Sequence, residues 1–565
     1  MRLSPHLSAL LLALLLGAVL FVPETLAVAG MGSTFQGVYP EHHDDELYYL
    51  ARGQEVLDGH PFLGNAYLAE GKDAPGFQLW LPDAVLAYPL GALHIPVPEG
   101  YRVYDLLLPP VAFLLLYALL LALARRRSLA LLGSSFLFLG IFLDELSRTP
   151  SPQLNVIALL AFLLAAHTAY EGGKKRIALL AGLLFGLLFY TYYYYWTYAG
   201  ALLAFLFLAD LLRKRKPVAP FLMLAVGGVV ALPYLLSVYA ASRLPYYAEL
   251  LARLGAIHSR VPSALLIVLV GGALLALAGF LLLWKKLRPS PALLFALAGV
   301  SAGLVAANQH LLTGLNLEFS SHYLLPFSLF SAALLAVLFG AMRDRVPARV
   351  RSGAATALLV LVALAVLGAV RTEVRGGLLV APSDLADERY GPVLAWLRAH
   401  TAKDDVVLTD DRLSYLVPAY TGDNVLANPY AGYFYLPTEE LEERWLIAHP
   451  DEDLATADAV RAEDSRNLFG VYYVDLIAHA GSENALRKLA GLPALPLPAE
   501  SDADVARVAG LAKDVDAMKP AERLARYRVD YVVGEGDAGV GALAKAARLP
   551  VLATFGDLTV YAGPR

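Results

Sequence analysis

The distribution of apolar residues constrains this chain more than any other feature of its sequence. Apolar runs of about 20 residues recur along the first two thirds of the chain, and a run of that length crosses the hydrocarbon core of a bilayer as one helix. We predict about eleven membrane spans on this pattern. They lie near residues 8–28, 103–124, 128–146, 152–170, 177–191, 196–212, 218–240, 263–284, 291–309, 322–341 and 352–370.

The overall composition also indicates an integral membrane protein. Of the 565 residues, 58% are hydrophobic and only 17% are charged, and the mean hydropathy is +0.55, whereas soluble domains are roughly one quarter charged. The net charge of −5 argues against a nucleic-acid-binding protein, which needs a basic surface. Because the chain has no cysteine, a disulfide framework, a thiolate nucleophile and a cysteine metal site are excluded.

Clusters of lysine and arginine fall on alternate connections between the predicted spans. They are Arg125–Arg127, Lys174–Arg176, Arg213–Lys216, Lys285–Arg288 and Arg343–Arg351. Because basic loops stay on the cytoplasmic side, we predict a multi-pass protein of the cytoplasmic (inner) membrane with its N-terminus inside. The long connection 30–100 and the chain after residue 372 then lie outside.

The first apolar run has a second interpretation. It is followed by Ala27-Val28-Ala29, a pattern similar to the cleavage site of a secretory signal peptide. The many later spans favour an uncleaved anchor. In both cases the loop that begins at residue 30 is expected outside.

The sequence pattern predicts two domains. Residues 1–371 form a transmembrane domain that includes the first outer loop, 30–100. From residue 372 to residue 565, charges become frequent and apolar runs shorten to strand length, which indicates an α/β domain. Its predicted strands and helices are Asp405–Thr409, Val529–Val533, Leu558–Tyr561, Tyr390–Ala399 and Glu439–Ala448. The predicted fold class is therefore a polytopic α-helical membrane protein with a C-terminal extracytoplasmic α/β domain, and this domain has no motif for a separate catalytic activity.

Acidic and aromatic residues cluster at the start of the first outer loop. Asp44, Asp45 and Glu46 stand directly before Leu47, Tyr48 and Tyr49. If a helix begins here, Asp45 shares a face with Tyr48 or Tyr49, and the helix dipole stabilises a carboxylate in the first turn. Such a carboxylate can act as a general base. A solvated linker is the alternative, but it would not need three acids beside an aromatic pair.

Further polar clusters lie at the predicted outer ends of other spans, where ionisable residues are candidates for function. Asp144 and Glu145 precede Arg148, and this acidic pair is alternatively a solvated helix end. Arginine matches the geometry of phosphate oxygens. The loop that ends in His258-Ser259-Arg260 adds cationic groups that could hold a phosphate. Glu318 and His322 belong to a further polar cluster at an outer boundary, and interfacial packing is the alternative for His322.

Two segments are expected at the membrane interface. Gln78–Leu93 is apolar but interrupted by Pro82, Asp83 and Pro89, which favours a helix lying along the interface over a span. The run Tyr192–Trp196 predicts either an aromatic belt at the interface or a platform for a substrate.

This layout resembles the GT-C superfamily of lipid-dependent glycosyltransferases, which includes the protein O-mannosyltransferases and the lipid A aminoarabinose transferases. The resemblance covers the whole chain: an uncleaved first span, a long outer loop, a core of many spans and an external C-terminal domain. Its motifs are an Asp-Glu-x-x-Tyr pattern, here Asp45-Glu46-Leu47-Tyr48-Tyr49, and an acidic motif after the third span, here Asp144-Glu145.

The resemblance implies an inverting hexosyl- or pentosyltransferase. It would move a sugar from a polyprenyl-phosphate carrier to a lipid, glycan or protein outside the cytoplasmic membrane. Asp45, or its neighbour Asp44, would be the catalytic base, with Glu46 in the same motif. One helix position turns a side chain by about 100°, so only one of the two aspartates can face the pocket, and we favour Asp45. The groups that would bind substrate or the leaving phosphate are Tyr48, Tyr49, Arg148, His258, Arg260, Glu318 and His322.

The resemblance leaves the cofactor open. Asp144 and Glu145 occupy the position at which some family members hold a divalent cation, Mg²⁺ or Mn²⁺, and others hold none. The pair departs from Asp-x-Asp, which puts metal dependence in doubt.

Two other function classes fit parts of the sequence. A transporter would place carboxylates and broken helices near the membrane centre, whereas the ionisable residues here cluster at the predicted outer ends of spans. A non-catalytic scaffold that presents the C-terminal domain would not need the outer acids. We therefore predict a glycosyltransferase whose partners are the lipid-linked donor, the acceptor and the membrane, with no role for nucleic acid.

Overall fold

A computed structural model of the chain describes residues 5–41, 43, 45–74, 78–143, 146, 148–262, 264–285, 289–316, 320–342 and 347–564. Up to residue 378 the described elements are almost all helical. The helices are α1 (Pro5–Met31), α2 (Glu46–Leu57), α3 (Leu81–Leu93), α4 (Val97–Ala124), α5 (Arg127–Leu137), α6 (Gln153–Gly172), α7 (Lys175–Leu188), α8 (Tyr193–Leu212), α9 (Val218–Ala241), α10 (Tyr247–Arg253), α11 (Leu265–Trp284), α12 (Pro291–Ala307), α13 (His310–Thr313), α14 (Leu324–Met342) and α15 (Ala348–Leu378). Every predicted apolar span coincides with one of them.

Eight helices in the described part of the chain are long and apolar enough to cross a membrane, judged by length and composition. They are α1, α4, α6, α8, α9, α11, α14 and α15. The other predicted spans form shorter helices: α7, α12, and α5 extended by the π-helical segment Phe138–Phe142. With 14 residues, α7 is about 21 Å long, below the thickness of a hydrocarbon core. The segment predicted as an interfacial helix contains α3, whose 13 residues are also too short for a span.

The short helix α12 lies inside the bundle, between α8 and α14. Gly299 of α12 stands against the ring of Phe330 in α14, and its carbonyl accepts a hydrogen bond from the Tyr198 hydroxyl at 2.6 Å. Both Tyr198 and Phe330 are buried. Small residues allow such close approach of helices inside membranes.

We expect Gly299→Ala to lower the free energy of unfolding by about 1–3 kcal/mol, since an added methyl overpacks this contact. A Cβ at position 299 would overlap the Phe330 ring. The measurement is the thermal unfolding midpoint of the purified protein in detergent. Gly272→Ala is the matched control, because a Cβ at Gly272 in α11 meets no atom within 4 Å. Equal midpoints for the two variants would contradict the packing argument.

The chain after α15 folds into a domain around a mixed sheet. Before this domain, β1 (Ile257–His258) and β2 (Leu315–Asn316) pair antiparallel, on the connections that lead to α11 and α14. The C-terminal elements are α16 (Pro382–Asp387), α17 (Gly391–His400), β3 (Val406–Leu408), α18 (Asp411–Tyr420), β4 (Asn424–Val425), α19 (Thr438–Ala448), α20 (Ala457–Ala462), α21 (Ser465–Phe469), α22 (Tyr472–Leu489), α23 (Asp502–Asp516), α24 (Pro520–Leu524), β5 (Tyr531–Glu535), α25 (Gly539–Ala546), β6 (Val551–Phe555) and β7 (Leu558–Ala562).

The five strands of this sheet are ordered β4-β3-β5-β7-β6. Strand β3 runs parallel to β4 and β5, whereas β7 runs antiparallel to β5 and β6. The sequence-predicted strands correspond to β3, β5 and β7, and the predicted helices correspond to α17 and α19. The predicted fold class, a polytopic α-helical membrane protein with a C-terminal α/β domain, is confirmed.

The first outer loop and the C-terminal domain share one hydrophobic core. Leu47 and Tyr67 of the loop pack in the same buried cluster as Leu394 and Val407 of the domain. The backbone N–H of Val425 in the edge strand β4 donates to the Tyr67 carbonyl at 2.8 Å. The loop thus contacts the edge of the sheet. The two segments therefore form one body, and the predicted boundary at residue 371 falls within α15.

Candidate active site

A cavity of about 770 Å³ lies where the N-terminal ends of α6, α8 and α14 meet the first outer loop and the C-terminal domain. We call it the interdomain cavity. From the loop and the bundle it is lined by Asp45, Tyr48, Tyr49, Arg52, Arg148, Ser151, Tyr192, Tyr194 and His322. From the C-terminal domain it is lined by Tyr415, Tyr430, Tyr433, Asp464, Arg466 and Asn467.

Asp45 occupies the N-cap position of α2 and faces this cavity. Its Oδ2 atom accepts a hydrogen bond from Arg148 Nη1 at 2.6 Å, and the Asp45 side chain is 31% exposed. The other oxygen, Oδ1, is buried and accepts no hydrogen bond from the residues that the structure describes. One oxygen of this carboxylate is thus held by a cation, while the other has no hydrogen-bond partner among the described residues.

A buried arginine of α2, Arg52, holds Tyr48, which follows Asp45 by three residues. Arg52 Nη1 donates to the Tyr48 hydroxyl at 2.8 Å, and its guanidinium lies 5.1 Å from the centre of the Tyr48 ring. Arg52 is itself paired through two hydrogen bonds, of 3.2 and 2.7 Å, with Asp83 in the first turn of α3. Burial, followed by the charge of Asp45, raises the pKa of Tyr49 above its ordinary value, so its hydroxyl stays neutral.

An aromatic wall lies across the cavity from α2. The Tyr192 hydroxyl is hydrogen-bonded to His322 Nδ1 at 2.6 Å, and the His322 ring stacks on Tyr194 with 4.6 Å between centroids. Tyr195 and Tyr198 point instead into the core of the bundle. Part of the tyrosine run thus lines the cavity while the rest is buried, and a role as a substrate platform remains a prediction.

The C-terminal domain supplies residues that the sequence patterns did not single out. The ring centroids of Tyr430 and Tyr433 lie 5.1 and 5.9 Å from that of Tyr48. Arg466 and Asn467 of α21 add polar groups to the same wall. The aromatic run 430–435 was the available signal, because three tyrosines and a phenylalanine within six residues indicate a packed or binding surface.

Several predicted site residues do not reach this cavity. Glu46, next to Asp45, lines a separate and smaller cavity with Glu41. Arg260 donates from Nη1 to the carbonyls of Leu311 and Leu312, at 2.9 and 3.1 Å, and so closes the end of a helical turn. His258 is exposed on β1. Asp44, Asp144, Glu145 and Glu318 lie outside the described residues, so their roles remain predictions.

The candidate divalent cation has no described cluster of ligands. Among the residues that the structure describes, no group of three or more histidine or carboxylate side chains is arranged to hold a metal ion. At Asp45, a cation would compete with the guanidinium of Arg148 for the same oxygen. Mg²⁺ or Mn²⁺ binding at Asp144 and Glu145 remains a prediction.

A buried arginine attaches the C-terminal domain to the connection between α9 and α11, which contains α10. Arg253 Nε donates to the Gly432 carbonyl at 3.0 Å, Nη2 to the Leu436 carbonyl at 2.7 Å, and Nη1 to the Thr438 hydroxyl at 2.6 Å. These bonds satisfy carbonyls that burial removes from water. They hold the segment that carries Tyr433 against the end of α10.

The same contact contains a buried carboxyl, which predicts a pH effect on stability. Asp475 of α22 is 8% exposed and lies against Gly255. Burial raises its pKa to about 7. Since the folded value lies above that of the unfolded chain, this group favours the folded state at low pH, and the benefit is lost as the pH rises from about 4 through 7.

We therefore expect Asp475→Asn to reduce the loss of stability between pH 5 and pH 8 by about 2 kcal/mol. The measurement is the thermal unfolding midpoint at both pH values. Asp514→Asn is the control, because Asp514 is exposed in the same domain. An unchanged pH dependence in Asp475→Asn would show that the carboxyl is not desolvated.

Comparison with known proteins identifies no family by sequence. No family model matches the chain, and no curated protein matches it. Among solved structures, the crystal structure of the oligosaccharyltransferase of Archaeoglobus fulgidus, in complex with Zn and sulfate, is similar at 14% identity with a TM-score of 0.41. The match covers 94% of this chain and 68% of that chain. A likeness at this identity and TM-score does not establish a family.

Proposed function

We propose that this chain is an integral membrane glycosyltransferase of the GT-C type. It would move a sugar from a polyprenyl-phosphate carrier to an acceptor hydroxyl on a lipid, glycan or protein. The observation that supports this most directly is the ion pair of Asp45 with Arg148 in the wall of the interdomain cavity. A general base and a phosphate-binding cation are the two groups that such a transfer needs side by side.

The proposed reaction is a single displacement at the anomeric carbon of the donor sugar. The acceptor hydroxyl hydrogen-bonds to Asp45, its oxygen forms the new bond to the anomeric carbon, and its proton passes to the carboxylate. The bond from the anomeric carbon to the phosphate oxygen breaks with its electron pair, and polyprenyl phosphate leaves with inversion at the sugar. Because the transition state is cation-like, a neighbouring carboxylate also stabilises it by charge.

Arg148 would neutralise the leaving phosphate in this scheme. Its Nη1 lies 2.6 Å from Asp45 Oδ2, so a phosphate on the same guanidinium stays within a few ångströms of the base. Arginine suits this role because its planar fork presents several N–H groups to phosphate oxygens. The aromatic side chains Tyr430 and Tyr433 offer flat apolar faces on which a sugar ring can pack.

The proposed location is the cytoplasmic membrane, with the cavity and the C-terminal domain outside. The cavity lies at the N-terminal ends of α6, α8 and α14, whereas the basic connections 174–176 and 213–216 lie at the opposite ends of α6 and α8. The positive-inside rule assigns those basic connections to the cytoplasm. This orientation gives the cavity access to a lipid-linked donor in the outer leaflet.

The test is to supply labelled polyprenyl-phosphate hexoses, pentoses and aminosugars to the purified protein in lipid nanodiscs. We expect at least one donor to be consumed with release of polyprenyl phosphate, and Asp45→Asn protein to leave it intact. Solute uptake by sealed proteoliposomes that contain the protein, without sugar transfer in the nanodiscs, would favour the transporter. The scaffold would be favoured if the folded protein consumes none of these donors and if deletion of its gene leaves the cellular glycans unchanged.

A further inference from the structure

A second cavity, of about 200 Å³, lies at the opposite end of α6 and α8 from the interdomain cavity. We call it the basic cavity. The two are separated by the length of α6, which is about 30 Å for its 20 residues. Its polar lining consists of Tyr170, Lys175, Asp210, Arg213, Arg215 and Lys216.

The charge of this lining is unbalanced. Four cationic side chains face one carboxylate, Asp210, which is buried and already accepts a hydrogen bond from the Tyr170 hydroxyl at 3.2 Å. Within the described ranges, no ion pair involves any of the four cations. All four side chains line the same cavity, Arg213 as a partly buried residue and Lys175, Arg215 and Lys216 as exposed ones.

The backbone adds to the positive field. Helices α7 and α9 both begin at the basic cavity, and neither has an acidic residue in its first turn or a side-chain cap. The N-terminal end of a helix carries a partial positive charge and attracts anions. This contribution supplements the four side chains and has the same sign.

The size and surroundings of the basic cavity decide which anion fits. At about 200 Å³ it is smaller than the roughly 300–1,000 Å³ pockets that hold drug-sized ligands, so it suits a single phosphate group. Leu179 and Leu180 on α7, and Leu211 and Leu212 at the end of α8, are exposed beside it, Leu212 by 76%. Such apolar surface next to a phosphate-sized basic cavity favours a ligand with hydrocarbon chains.

We propose that the basic cavity binds the headgroup phosphate of an anionic phospholipid, whose acyl chains lie along the apolar faces of α7 and α8. The site is independent of the proposed sugar transfer, because it lies at the other end of the helices and shares no residue with the interdomain cavity. Basic pockets between membrane helices bind anionic headgroups on this electrostatic principle.

The test compares the purified full chain in nanodiscs of phosphatidylcholine with and without phosphatidylglycerol, and measures retained lipid by native mass spectrometry. We expect preferential retention of phosphatidylglycerol. Lys175→Gln/Arg213→Gln should weaken it about 30-fold, at roughly fivefold per cation. Lys174→Gln/Arg176→Gln is the control, since it removes two positive charges next to Lys175 from residues that do not line the cavity. The control should retain the lipid as the parent protein does.

Each remaining outcome decides the proposal. Arg215→Gln/Lys216→Gln is a second pair on the exposed connection after α8, and it should also weaken retention without affecting folding. Equal losses in the control pair would reduce the effect to general attraction by surface charge and overturn the site. Displacement of the lipid by inorganic phosphate at micromolar concentration would assign the cavity to a soluble anion instead. No preference for phosphatidylglycerol in the parent protein would also overturn it.

Discussion

Replacing Asp45 with asparagine should lower the rate of sugar transfer about 10²–10⁴-fold, the range that a general base contributes, while the protein remains folded and abundant. The amide keeps the size of the side chain but has neither the negative charge nor the basicity of the carboxylate. Asp45 and Arg148 are 31% and 19% exposed, so solvent screening keeps the stability cost of breaking this ion pair small. The measurement is turnover of the labelled donor in nanodiscs, with protein level monitored in the same membranes.

Neighbouring carboxylates supply the controls for this prediction. Asp73→Asn neutralises an exposed aspartate in the same outer loop and should transfer sugar at the parent rate. Glu46→Gln and Asp44→Asn test the competing assignments within the acidic motif, and Glu46 lines a different cavity from Asp45. Loss of sugar transfer in Asp44→Asn, with full activity in Asp45→Asn, would assign the general base to Asp44. Full activity in both would remove the catalytic role from this motif.

The helical layout could be predicted from the sequence because membrane spans are encoded locally. A run of apolar residues long enough to span a bilayer has few alternatives to a helix, and each predicted run coincides with a helix. The strands around Val407, Val532 and Val560 were also visible, since short β-branched runs between polar segments are a local signal. The burial of α12 among other helices could not be predicted, because an apolar sequence does not distinguish contact with lipid from contact with other helices.

The cavity was only partly predictable, for a different reason. Asp45, Arg148 and His322 are far apart in sequence, but all lie on connections assigned to one side of the membrane, so topology alone brought them near each other. The contribution of Tyr430 and Arg466 depends on how a separate domain docks, which no local pattern encodes. Arg260 illustrates the converse, since an arginine at an outer boundary looked available for phosphate, yet it donates to backbone carbonyls.

The pair of Arg52 and Asp83 is a further example of a contact that sequence does not reveal, and it supports the second large prediction. Both side chains are buried, with 7% and 1% exposure, and they join α2 to α3 beneath Tyr48. Arg52 Nη2 also donates to the Leu79 carbonyl at 3.0 Å, so the guanidinium satisfies several groups at once. Removing one member of a buried ion pair leaves the other charge uncompensated, which costs about 3–5 kcal/mol.

We therefore expect Asp83→Asn to lower the free energy of unfolding by about 3–5 kcal/mol and also to reduce sugar transfer, because Arg52 no longer fixes Tyr48 beside Asp45. The measurements are thermal unfolding in detergent and donor turnover on the protein that remains folded. The double variant Arg52→Gln/Asp83→Asn should recover part of the stability, since it removes both charges together, but should not recover transfer. If the double variant is less stable than the single one, the loss comes from hydrogen bonding and packing rather than from an unpaired charge. Recovery of sugar transfer in the double variant would show that Arg52 is not needed to position Tyr48.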